Sequence, residues 1–175
     1  LAPSYSYGDS KHAYPLEVLA EIVGSGATSR LYKSLVIDQK VAVSAGLSYS
    51  ADPMGPSRLT FYGSPPPGGD VMAVEKAIDA EIEKLLRVGV TAEEVARAKK
   101  RMLADAVFAR DSYRTPAQIF GSALASGQTI EDVESWTDRI SAVTAEQVDE
   151  AAEAVLKREQ SVTGFLLPKK QEAAQ

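Results

Sequence analysis

Two glycines, Gly24 and Gly26, separated by a single serine, stand between two stretches of helical periodicity, and no other feature limits the fold as tightly. Upstream, Leu16, Leu19, Ala20 and Val23 recur on one helical face, and Pro15 falls where a first turn tolerates a missing N–H. Downstream, Thr28 or Ser29 is placed to cap a second helix whose apolar face is Leu31, Leu35 and Val36, fading at Asp38-Gln39-Lys40. The chain must turn between two helices here. Gly24 is expected to end the first helix as a left-handed residue, and close helix packing would demand glycine equally. The run Gly24 to Ser29 superficially matches a phosphate-binding G-x-G-x-x-G, but its sixth position is Ser29, no strand precedes it and no Lys follows. A helix-to-helix turn is the better reading.

Beyond the turn, Val41 to Ala51 alternates with a period of two, presenting Val41, Val43, Ala45, Leu47 and Tyr49 on one face of a strand. Asp52 to Pro56 is a turn, and Arg58 to Gly63 makes a second strand, antiparallel because the connection is short. Asp70 is placed to cap a helix carrying Val71, Val74, Ile78, Ile82 and Leu85 inward, ending near Val88-Gly89. Capping boxes at Thr91-Ala92-Glu93-Glu94 and Thr144-Ala145-Glu146-Gln147 open two more helices, the first running to about Asp111. Pro116 starts a segment that ends at Gly127, and Thr129 to Asp132 offers another start. Leu1 to Tyr7 and Val162 to Leu167 read as short strands, and Lys169 to Gln175 as a polar tail. Without repeats or a long linker, the expectation is one α+β domain over residues 1–168, a small, mostly antiparallel sheet covered on one side by helices, followed by the tail 169–175.

Composition narrows the function classes. A formal net charge of -5 gives no broad positive field for nucleic acid or anionic membranes, and no apolar run is long enough to span a bilayer. The absence of cysteine removes disulfides, thiolate nucleophiles and Cys-based zinc sites, and leaves periplasm and cytoplasm both open. The start at Leu1, without Met, suggests an excised fragment or a processed product. The single histidine, His12, has Asp9 and Glu17 as neighbours of metal-ligand type, but no second nitrogen or sulfur ligand exists, and a surface role is the simpler reading. There is no G-x-S-x-G elbow for serine chemistry. Lys99-Lys100-Arg101 near Glu93 and Glu94 has the composition of a solvated helix face. Arg30 and Tyr32, beside the glycine turn, read first as structural, Arg30 pairing with a carboxylate of another subdomain and Tyr32 packing with its hydroxyl at the edge, and second as candidate contacts to a peptide or a partner. An exposed strand edge would also accept an extended peptide.

The stretch from Leu19 through Gly24-Ser25-Gly26 to Arg30-Leu31-Tyr32, continued through Ser34-Leu35-Val36 to Ala45, resembles the M16 family of zinc peptidases (insulinase or pitrilysin type, inverzincins). The resemblance implies a LuxS/mitochondrial processing peptidase-like half-domain, and the later helices and strands fit the C-terminal, non-catalytic half. Family members place zinc ligands and a general base in an H-x-x-E-H motif, whereas His12 is followed by Ala13-Tyr14-Pro15-Leu16. By the resemblance, no cofactor or catalytic residue belongs to this chain; zinc belongs to the intact parent protein, in a part upstream of Leu1. The partners implied are an N-terminal half-domain, a second M16-type unit and a peptide substrate within a shared chamber. Partner units carry a substrate-binding Arg and Tyr after the glycine-turn helix, at positions that fall here on Val36 and Val43, which favours descent from the metal-bearing unit. The alternatives are a non-catalytic assembly subunit of the same fold and an unrelated small-molecule-binding α+β domain.

Overall fold

In the computed structural model, which describes residues 1–109, 111 and 114–167, the first helical pattern is α1, Ala13–Gly24. It is buried on nearly every side: Ala13, Leu16, Val18 and Leu19 are wholly inaccessible, and Ile22 and Val23 almost so. Helix α1 is accordingly the hub of the molecule, packing against the sheet and against three later helices. The second pattern begins at Arg30 and runs into a π-helical segment, Tyr32–Asp38, with Leu31 and Leu35 in the core. Ser29, itself buried, accepts the Tyr32 N–H at 3.4 Å and so caps this segment.

The sheet has two antiparallel strands, β1 (Ser44–Ser48) and β2 (Thr60–Ser64), in the register Ala45 to Gly63 and Leu47 to Phe61. Both are shorter than their alternating patterns predict. Ala45 and Leu47 turn into the core, whereas Thr60, Tyr62 and Ser64 lie exposed on the opposite face. Helix α2 (Val71–Val88) covers the inner face at β2, where Val74 and Ile78 lie against Gly63. Its start is the expected Asp70 cap, which accepts the Met72 N–H at 2.9 Å.

Helices α3 (Ala92–Ala109), α4 (Arg114–Ala125), α5 (Ile130–Glu134), α6 (Trp136–Ala142) and α7 (Ala145–Val155) complete the layer. The three Thr-led starts at Thr91, Thr129 and Thr144 each form a reciprocal capping pair, with Glu94, Asp132 and Gln147. Helices α3, α6 and α7 pack around α1. Lys99 donates to the carbonyls of Ser141 and Val143 at 2.6 and 2.8 Å, and Arg101 pairs with Glu21 at 2.8 Å, so part of the basic run on α3 fastens helices together.

Three expectations change. The Leu1–Tyr7 segment is no strand: only Ala2 pairs, with Ser57, and a Ser4 N–H bond to the Tyr7 carbonyl turns the chain away from any ladder. Val162–Leu167 also forms no strand, because no partner lies beside it among the described residues. The expected tail 169–175 lies outside the described residues. Lastly, the left-handed residue of the glycine turn is Gly26 (φ 72°), while Gly24 is there for space, a Cβ on it falling 2.5 Å from Leu47 Cα and Cβ. A side chain at Gly24 would force α1 off β1, whereas one at Gly26 meets nothing within 4 Å and carries only the left-handed penalty. Gly24→Ala is therefore expected to lower unfolding free energy by about 3 kcal/mol or more, and Gly26→Ala by about 1 kcal/mol, in urea titrations followed by circular dichroism; equal losses would contradict these roles.

Candidate functional site

A polar cluster joins the N-terminal segment, α1 and α6. Tyr5 donates its hydroxyl to Glu17 Oε1 at 2.6 Å, and Trp136 donates its indole N–H to Glu17 Oε2 at 2.9 Å. Glu17 sits on α1 between the buried Leu16 and Val18 and is itself only partly accessible to solvent. Desolvation pushes its pKa up to about 7, against the opposing pull of the two donors. Burial likewise raises the Tyr5 and Tyr49 phenols, keeping both protonated, and Tyr49 donates to the Pro3 carbonyl at 2.7 Å. Both tyrosines thereby strap the first residues to the body.

Above this cluster opens a cavity of about 320 Å³ lined by Tyr5, Ser6, Lys11, Tyr14, Gln128 and Arg139, among others. Tyr5 and Tyr14 stack with centroids 4.8 Å apart, and the Arg139 guanidinium lies 5.4 Å from the Tyr14 centroid. Its cations are already engaged: Arg139 with Asp132 at 3.1 Å, Lys11 with Glu150 at 2.8 Å. Neither phenol is activated as a base or nucleophile. The arrangement clamps elements together and holds no set of groups matched to bond cleavage.

The sequence candidates lie elsewhere. Arg30 forms a bidentate pair with Glu94, Nε to Oε1 at 2.7 Å and Nη2 to Oε2 at 2.6 Å, and donates to the Gly89 carbonyl at 2.9 Å. The hydrogen bonds from Arg30 hold the Glu94 carboxyl down to about 2. Tyr32 is half-buried two residues on. His12 is buried with its Nε2 3.6 Å from Asp9, and Glu17, the other carboxylate considered with it, belongs to Tyr5 and Trp136. Among the described residues, no three His, Asp or Glu side chains converge as a metal site would require. The sequence pattern does not show the Glu17 cluster, since Glu17 and Trp136 alone are 119 residues apart; the one available signal is a carboxylate in a helix with almost no polar face.

Comparison with known proteins agrees with the fold. The sequence model of a family described as "Peptidase M16 inactive domain" matches residues 2–102. The inactive peptidase domain of a proposed zinc protease from Bordetella parapertussis superposes with a TM-score of 0.84 at 24% identity, over 98% of this chain and 89% of that one. A proposed zinc protease from Bordetella pertussis gives 0.82 at 23% identity, over 96% and 90%. A protease from Helicobacter pylori gives 0.77 at 20% identity over 87% of this chain, which spans 36% of that longer protein. No curated protein sequence matches the chain.

The raised carboxyl pKa of Glu17 sets a pH dependence. Between about pH 4.5 and 7 the folded state binds more protons at Glu17 than the unfolded chain does, so this group's contribution to stability falls as pH rises through that window. Glu17→Gln, whose amide donates to Tyr5 while its carbonyl accepts from Trp136, is expected to match wild type near pH 4.5 and exceed it by about 2–3 kcal/mol at pH 8. Urea denaturation of the two proteins across pH checks this; a wild type that outlasts the variant at pH 8 would refute it.

Proposed function

Because this chain belongs to the M16 peptidase family as its inactive C-terminal domain, we propose that it serves as a non-catalytic half-domain of a zinc metallopeptidase, shaping the peptide chamber and docking a second M16-type unit. The observation that carries this reading is chemical. With one buried histidine, no cysteine and no convergent carboxylates among the described residues, the donor set does not fit catalytic zinc, which takes three protein ligands. No step of peptide hydrolysis is therefore assigned to these residues. Zinc and a general base would come from a metal-bearing half of the parent protein.

Two features support a role as chamber wall. The outer face of the sheet presents Ser48, Thr60, Tyr62 and Ser64 to solvent, hydroxyl groups that can meet the backbone of an extended peptide without selecting its side chains. The glycine turn beside it is held by Arg30 through Glu94 and Gly89, which gives the surface around Arg30 and Tyr32 a fixed shape for a peptide or partner unit. Val36 and Val43, standing where partner units of the family carry Arg and Tyr, favour descent from the metal-bearing unit. Among the described residues no helix is long and apolar enough to cross a membrane.

The chain by itself, incubated with unfolded protein substrates and micromolar zinc, is expected to show no cleavage above buffer, read by release of fluorescent peptide. Metal-dependent turnover that survives rigorous purification would overturn the reading.

A further inference from the structure

The cavity above the Glu17 cluster is built by separate parts of the chain. The N-terminal segment gives Tyr5 and Ser6, the short 3-10 turn Ser10–His12 gives Lys11, α1 gives Tyr14, and α6 gives Arg139. Gln128, in the α4–α5 connection, closes it. At about 320 Å³ it lies at the small end of ligand pockets, with room for a single-ring molecule rather than a bare ion. Its walls are already held in place. Tyr5 is tied to Glu17 at 2.6 Å, and Tyr14 accepts from Arg139 Nη1 at 3.1 Å while its ring packs against Tyr5. A ligand entering here meets a preformed surface and loses little to ordering it.

Hydrogen-bonding capacity in this cavity leans toward donors. Arg139 uses Nε on Ser135, Nη1 on Tyr14 and Nη2 on Asp132, each at 3.1 Å, so a second N–H on either terminal nitrogen is unspent. Tyr14 accepts from Arg139 but donates to no group among the described residues, and the Ser10 hydroxyl has no partner among them either. Lys11 holds Glu150 at 2.8 Å and lies 3.4 Å from Asp9, which leaves it a third N–H. Acceptors are scarcer. Asp132 is taken by Thr129 and Arg139, and the Gln128 side-chain carbonyl is the main one left.

Charge runs the same way. Lys11 and Arg139 line the cavity against one lining carboxylate, Asp132. Both cations sit in solvent-exposed ion pairs, which contribute little, so a ligand can share them. The setting also limits the ligand's charge. Asp9, Asp132 and Glu150 surround the same two cations, so a phosphate carrying close to two charges is repelled more than a carboxylate carrying one. The tyrosine rings supply an apolar wall for the rest of the molecule.

We propose that this cavity binds a small monocarboxylate with a flat apolar body, its carboxylate received by Arg139, Lys11 and the Tyr14 hydroxyl. Benzoate is the probe, with benzamide as its uncharged and benzylamine as its cationic counterpart, each titrated at low salt into the isotope-labelled chain. Benzoate should shift the backbone amides around Lys11, Tyr14, Gln128 and Arg139 saturably, with Kd on the order of 1 mM. Benzamide should bind about tenfold more weakly and benzylamine not at all. Tyr14→Phe, which keeps the ring and removes the hydroxyl, should weaken benzoate binding about fivefold without changing the circular dichroism spectrum. Lys11→Gln, an exposed change outside the Tyr5–Glu17–Trp136 clamp, should weaken it about threefold. The absence of a saturable shift up to about 50 mM benzoate would overturn the proposal. So would benzamide or inorganic phosphate binding as tightly as benzoate, or an affinity unchanged in both variants.

Discussion

The contact on which the rest of the structure depends is the approach of α1 to β1 at Gly24 and Leu47. No side chain fits between the helix end and the strand backbone, so the absence of one Cβ brings the helix into the sheet. Helix α1 can then be covered by α3, α6 and α7 as well, which is why most of its residues are buried and none is fully exposed. Gly26 has a different task, turning the chain through a positive φ so that Leu31 and Leu35 return to the same core. One short motif thus joins two helices, seats one on the sheet and aims the other.

Polar groups around this hub are handled in two ways. Glu94 lies where Arg30 and its own helix start can satisfy it, and its carboxyl is strongly acidic. Glu17 lies within the packed surface of α1 with only two neutral donors, and its carboxyl is weakened. The first is an ion pair that locks the glycine turn to the α2–α3 connection. The second ties the N-terminal segment to α6 and keeps a proton near neutral pH, a structural use of a perturbed carboxyl that would suggest catalysis if a nucleophile or metal ligands accompanied it.

Much of this architecture was legible in the sequence because it is local. The Asp70 cap, the capping boxes at Thr91 and Thr144 and the alternation through β1 are written within a few residues of one another, and the residues of the glycine turn carried the family resemblance. Pairings across the chain were not legible. Arg30 was recognised as a candidate, but its engagement by Glu94 depends on how α3 folds back, and the joining of Tyr5, Glu17 and Trp136 depends on three elements meeting. Val162–Leu167 reads as a strand, yet a strand needs a neighbour, and sequence pattern alone does not supply one.

On the proposed reading, this domain contributes shape and docking surfaces, and zinc and a general base would come from another part of the parent protein. Its helices and two-stranded sheet reproduce the fold of M16 inactive domains, and its lone histidine is enclosed at the head of α1. Equilibrium dialysis of the purified chain against micromolar zinc, followed by elemental analysis, tests this most directly. The account predicts well under 0.1 equivalent bound, and one equivalent of zinc retained per chain, displaced by mutating His12, would contradict it.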